Sequence, residues 1–106
     1  MSDMAYDLFV TQAAHEDLEE ALRYIAGDLA NPSAAANLLD QVQAVYGQLK
    51  DFPMLHECCH DLRLRALGYR KVVIGNFLLI YHPVEAENRI HILRFFYGGR
   101  DYEKLI

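Results

Sequence analysis

The stretch YRKVVIGNFLLIYHPV, residues 69–84, decides the fold. β-Branched and aromatic residues flank Gly75-Asn76, a two-residue hinge of types that tolerate positive φ, and this predicts antiparallel strands over Tyr69–Ile74 and Phe77–Val84. With the turn fixed, Ile74 opposes Phe77, Arg70 opposes Tyr81 and Tyr69 opposes His82. One face of the hairpin then carries Arg70, Val72, Ile74, Phe77, Leu79 and Tyr81. The other carries Tyr69, Lys71, Val73, Leu78, Ile80 and His82. Both faces are apolar in their middles, so each needs a cover.

Downstream, Glu85 to Asn88 reads as a looser turn and Arg89 to Tyr97 as the last strand. Upstream, the alternating run Leu62 to Ala66 is read as a further short strand. Before it, Asn31-Pro32 supplies a cap and a first-turn proline, and Ala35, Leu38, Leu39, Val42, Val45, Tyr46, Leu49 and Phe52 form a helical stripe that Pro53 ends. Ala14, Leu18, Ala21, Leu22, Ile25 and Leu29 form an earlier stripe, capped by Thr11 and preceded by a strand over Met4 to Val10. The break at Gly27 to Asn31 folds the two helices into an antiparallel hairpin. The order β-α-α-β-β-β predicts an α+β fold, a single domain over residues 1–106 with a helical hairpin on one face of a mainly antiparallel twisted sheet. Two helices cover one face only, so the second is expected to be covered by a partner protein.

Composition agrees with an ordinary globular class. The 106 residues are 53% apolar and 24% charged, enough for one core without staples. Cys58 and Cys59, as neighbours, close no useful loop. No run approaches the roughly 20 apolar residues that cross a bilayer, and the first residues lack a basic region followed by an apolar one, so a cytoplasmic, membrane-free protein is expected. A net charge of −5 argues against a surface that grips nucleic acid throughout, but the charge is segregated: residues 1–62 sum to −9 and residues 63–106 to +4. The cluster His56-Glu57-Cys58-Cys59-His60 holds donors suited to zinc, yet ligand pairs are usually spaced by about 2 to 4 residues and adjacent cysteines fit one tetrahedral ion poorly. No metal or other cofactor is expected.

Three stretches carry a resemblance: LRLRALGYR at 62–70, IGNFLLIY at 74–81 and ILRFFYGGRD at 92–101. Together with Ala14, Asp17-Leu18, Asn31-Pro32, Ala34 to Ala36 and Phe52-Pro53, they make the chain similar to the RelE/ParE toxins of bacterial toxin-antitoxin, or plasmid stabilisation, modules. The resemblance implies the same β-α-α-β-β-β fold and a cognate antitoxin that wraps the toxin in a hetero-oligomer. It implies one of two targets: DNA gyrase, poisoned without hydrolytic chemistry, or ribosome-bound mRNA, cleaved by an endoribonuclease. A non-toxic family member serving as a binding module or autorepressor component is the alternative.

RNA cleavage needs a base, an acid and a stabiliser of the phosphorane charge. The resemblance implies that Arg70 matches the phosphate-contacting position of the RNA-cleaving branch, Arg63 a basic position there and Arg100 another arginine near the C-terminus, three groups that could together hold a phosphodiester; Tyr81 is a further catalytic candidate. Arg65, Lys71, Arg94, His82 and His91 are expected to bind the target. Where the RNA-cleaving branch has a lysine two residues before the Arg63 position, this chain has Asp61. A base must then come from Tyr81, His82, His91, Tyr97 or Tyr102, of which only histidine has an ordinary pKa near neutrality. The ending Gly98-Gly99-Arg100-Asp101-Tyr102 looks more like the gyrase-directed branch, and the acidic total points the same way.

Overall fold

Thr11 joins the two layers of the molecule. In the computed structural model, which describes residues 5–98 and 102–106, its hydroxyl accepts the Ala14 amide at 3.1 Å and donates to the Leu93 carbonyl at 2.8 Å. One side chain thus caps helix α1 (Gln12–Arg23) and ties it to the sheet just after strand β1 (Asp7–Val10). Helix α1 runs on into a π-helical turn over Tyr24–Asp28, and Ala30 then reverses the chain with φ 50°. Asn31 Oδ1 accepts the Ala34 amide at 3.1 Å and Pro32 occupies the first turn, which starts helix α2 (Pro32–Asp51).

The sheet has the order β1-β4-β3-β2, with β2 (Arg70–Ile74), β3 (Phe77–Val84) and β4 (Arg89–Tyr97) antiparallel and β1 parallel to β4. The hairpin register is the one read from the sequence, Arg70 opposite Tyr81 and Ile74 opposite Phe77. At the turn only Gly75 takes a positive φ, 59°, so the hinge is of the II′ kind, with the glycine at the first central position. A bulge between β3 and β4 leaves Leu93 without an opposite residue, between the pairs Ile80–Arg94 and Tyr81–Ile92.

Residues 62–66 are not a strand. They form a one-turn helix, α3 (Leu62–Ala66), because Asp61 Oδ1 caps it on the Leu64 amide at 3.1 Å and Gly68, at φ 85°, closes it. The Tyr69 amide reaches back to the Leu64 carbonyl at 3.1 Å in the closing hydrogen bond of this cap. The alternation of leucine and arginine is satisfied by one turn of helix with Leu64 fully buried and Leu62 81% exposed.

This helix overturns a second expectation. One core lies between the sheet and α1–α2, where Val72, Ile74, Leu79, Tyr81, Ile92 and Phe95 meet Ala14, Leu38, Val42 and Leu49. A second core lies on the opposite face, where Leu78, Ile80 and Phe96 are covered by Cys59, Leu64, Tyr102 and Ile106. The chain therefore covers the part of its second face around Leu78, Ile80 and Phe96 with α3, the loop before it and residues 102–106. Phe9, 55% exposed on β1, lies on the same face outside this cover. Val73, 71% exposed on the edge strand, lies outside this cover. Replacing Leu64 with alanine is expected to cost about 2–5 kcal/mol, the range for truncating a fully buried leucine. A urea titration checks this, and a loss below about 1 kcal/mol would remove α3 from the core.

Candidate functional site

Among the described residues, Arg63, Arg70 and Arg94 are engaged on main-chain oxygens and, for Arg94, a carboxylate. Arg63, on α3, donates to the main-chain oxygens of Glu103 at 2.8 Å and Ile106 at 3.2 Å. Arg94 makes a two-pronged ion pair with Asp17, at 2.7 and 3.0 Å, donates a third hydrogen bond to the Leu105 carbonyl at 3.3 Å and lies 4.6 Å over the Phe96 ring. Both arginines thus hold residues 102–106 against the sheet. Asp17 also completes the sheet: β1 stops pairing at Ile92, and beyond it the carboxylate accepts the Phe95 amide at 3.0 Å, standing in for a missing strand. The paired charges raise the Arg94 pKa still further, chiefly through the Asp17 hydrogen bond.

Arg70 lies on the helix-facing side of the sheet, at the start of β2. Its Nη1 donates to the His56 carbonyl at 2.6 Å, and the opposite residue, Tyr81, is fully buried with its hydroxyl donating to the Pro53 carbonyl at 3.0 Å. His56 packs edge-on against the Tyr81 ring, 6.4 Å between centroids. These contacts fasten the loop after α2 to the sheet. Burial raises the Tyr81 pKa, and with no exposed surface the phenol is badly placed to take a proton from a substrate. Arg100 lies outside the described residues. Tyr102, the other late tyrosine, hydrogen-bonds the Cys59 thiol and has its pKa pushed up to about 12, first by burial and then by that thiol.

A different group does assemble, on the sheet's outer face. His82 and His91 are register partners on β3 and β4. Tyr69 packs on His82 with 5.3 Å between ring centroids, and Phe9 meets His91 edge-on at 5.6 Å. The result is a row of four rings crossing the sheet, with Arg89 5.7 Å over Phe9 and Glu87 Oε1 3.6 Å from His91 Nε2. Lys71 projects from the same face of β2, and Arg65 is exposed on α3. The sequence singles out His82, His91, Lys71 and Arg65 but not Phe9, Tyr69 or Arg89. For Tyr69 the signal is present in the hairpin register, which sets it opposite His82.

Burial, then the charge of neighbouring His91, lowers the His82 pKa, with Glu87 opposing. Neutral near pH 7, His82 can accept hydrogen bonds or stack, while Arg63, Arg70 and Arg94, the candidates for carrying phosphorane charge, are engaged with other partners. The arrangement offers rings and charged groups on one face of the sheet. In the cluster His56 to His60, His60 pairs with Glu57 at 3.1 Å outside while Cys59 is buried, and among the described residues no three metal-ligating side chains converge.

Because burial lowers the pKa of both His56 and His82, the unfolded chain binds more protons than the folded one just below the ordinary histidine pKa. Stability is expected to be full above about pH 6.5 and to fall as the pH drops through the lowered folded values. A His82→Gln variant should show a shallower fall in urea midpoint between pH 7 and 5, and an unchanged slope would contradict the assignment.

Known proteins share this fold. A sequence model of the ParE toxin of the type II toxin-antitoxin system parDE matches residues 8–102. No curated protein matches the chain. Among solved structures, the chain is similar to one from the chromosomal ParDE toxin-antitoxin system of P. aeruginosa, with TM-score 0.69 and 18% identity over 89% of this chain and 97% of that one. It is also similar to one from the toxin-antitoxin complex RelBE2 of Mycobacterium tuberculosis, with TM-score 0.61 and 19% identity over 88% and 98%. Those likenesses concern the fold, while the sequence match spans nearly the whole chain: the protein belongs to the ParE toxin family of type II toxin-antitoxin systems.

Proposed function

We propose that this chain is the toxin of a type II toxin-antitoxin module, that a cognate antitoxin holds it inactive in the cytoplasm, and that it stops growth by binding DNA gyrase rather than by cutting RNA. Family membership supports the toxin reading. One observation favours gyrase: the arginines needed around a scissile phosphate are engaged elsewhere, Arg63 and Arg94 on residues 102–106 and Arg70 on the His56 carbonyl, while the two imidazoles lie together on the outer face of the sheet. Cleavage requires base, acid and cation around one phosphodiester. Binding requires only an exposed surface with anchoring rings and a few charges.

In this reading Arg65, Lys71, His82 and His91 contact the target, joined by Phe9 and Arg89, and the chain acts without enzymatic chemistry or cofactor. Arg70 supports the surface from behind by fixing the loop that ends at Cys59. Induced expression is expected to arrest growth, and purified protein to inhibit gyrase supercoiling while leaving ribosome-bound mRNA intact. A Phe9→Ala/His91→Ala variant should need at least about tenfold more protein for the same inhibition, the loss that corresponds to about 1.4 kcal/mol of contact. Ribosome-dependent mRNA cleavage with gyrase unaffected, or normal growth with abundant folded protein, would overturn the proposal.

A further inference from the structure

Resting on the gyrase-binding reading of the outer face, we infer that Gly68 is a positioning residue of that surface: its bare α-carbon is the seat of the His82 imidazole, and any larger residue there displaces the ring from the row. Two independent features meet at this position. Gly68 closes α3 in the left-handed region, at φ 85°, with its amide on the Arg65 carbonyl at 3.0 Å and the Tyr69 amide on the Leu64 carbonyl at 3.1 Å. A left-handed cap of this kind accepts asparagine as well as glycine, so closure by itself does not demand the residue. Its surroundings do. A β-carbon on Gly68 would stand 3.2 Å from His82 Nε2 and 3.4 Å from His82 Cδ2, the first tighter than ordinary van der Waals contact. The Nε2–Cδ2 edge of the imidazole therefore lies against the glycine.

The ring has little room to give way. Tyr69, just before β2, packs on it with 5.3 Å between centroids and a tilt of 52°, and His91 is its register partner on β4. Burial is the first cause of the lowered His82 pKa, as expected of an imidazole edge set against main chain. Within the row of Phe9, His91, His82 and Tyr69, His82 is an inner member, so moving it breaks the row between β4 and β2. Gly68 and Tyr69 are consecutive, and the single turn that ends α3 thus supplies both the seat of His82 and the ring packed on it. Placement of the surface depends on α3, whose Leu64 is fully buried in the second core.

The test uses Gly68→Ala and Gly68→Asn in the full chain. Asparagine adds the same β-carbon but tolerates positive φ, which keeps the experiment decisive should the alanine variant not fold. In the folded variants, NMR should show the His82 imidazole signals shifted and its titration midpoint raised towards the ordinary histidine value. Gly68→Ala should lower the urea midpoint by less in a His82→Ala background than in the wild-type chain, because the strain of positive φ remains there while the contact is gone. In gyrase supercoiling, each variant should need at least about fivefold more protein for the same inhibition, and Gly68→Asn should add little to the loss caused by His82→Ala. Unchanged His82 signals in a folded variant, or equal urea losses in the two backgrounds, overturn the seat. Displaced signals with undiminished gyrase inhibition overturn the part Gly68 plays in binding. If the wild-type chain leaves gyrase unaffected while the signals and urea losses follow expectation, the gyrase reading falls and the seat of His82 stands.

Discussion

Strand β3 carries large apolar side chains on both of its faces, Leu79 and Tyr81 towards the helices and Leu78 and Ile80 away from them, and all four are buried. A sheet whose inner strand is apolar on both sides is stable in water only when both sides are covered. The helical hairpin provides one cover. The other is improvised from a one-turn helix, the loop around Cys59 and residues 102–106. Such short pieces bring many main-chain carbonyls near the surface and little apolar area of their own, so long cationic side chains are recruited to hold them. Arg63 and Arg94 take three carbonyls between them. Two of the eight basic residues in the C-terminal portion are thus engaged in closing the second core.

Much of the architecture is legible in one chain because its signals are local. Thr11 and Asn31 cap helices through their own side chains, Pro53 stops one, and Gly75-Asn76 sets a register that a period of two carries along both strands. Residues 62–66 mislead because five positions are too few to separate strand alternation from a single helical turn. The cues that settle it flank the run: a capping Asp61 and a left-handed Gly68. The closing cover is illegible for a different reason. Arg63 meets Glu103 and Asp17 meets Arg94 across separations of 40 and 77 residues, and no periodicity reports contacts of that kind.

The same division runs through the functional residues. His82, His91 and Lys71 come together because hairpin register is local information. The arginines drawn from the family resemblance are assigned by motif, and motif position says nothing about which carbonyl a guanidinium will find. Phe9 escapes notice because β1 pairs in parallel with β4, the strand most distant from it in the chain. A groove lined by Tyr24, Leu29, Phe77, Phe95 and Tyr97 escapes notice because its walls come from distant parts of the chain, Leu29 from the first helical stripe, Tyr24 from beside it and Tyr97 from the last strand. An apolar residue on a helical stripe reads as core, and only packing reveals that these are left exposed.

Closure of the second face by the chain itself is the central claim, and Cys59, fully buried beneath residues 102–106, reports on it directly. In a Cys58→Ser variant, the remaining thiol can be labelled with iodoacetamide under native conditions and followed by mass spectrometry. Closure predicts labelling no faster than opening of the fold allows, with acceleration when Arg63 and Arg94 are both replaced by alanine. Labelling of the otherwise unaltered variant at the rate of an unfolded control would show an open face and contradict the claim.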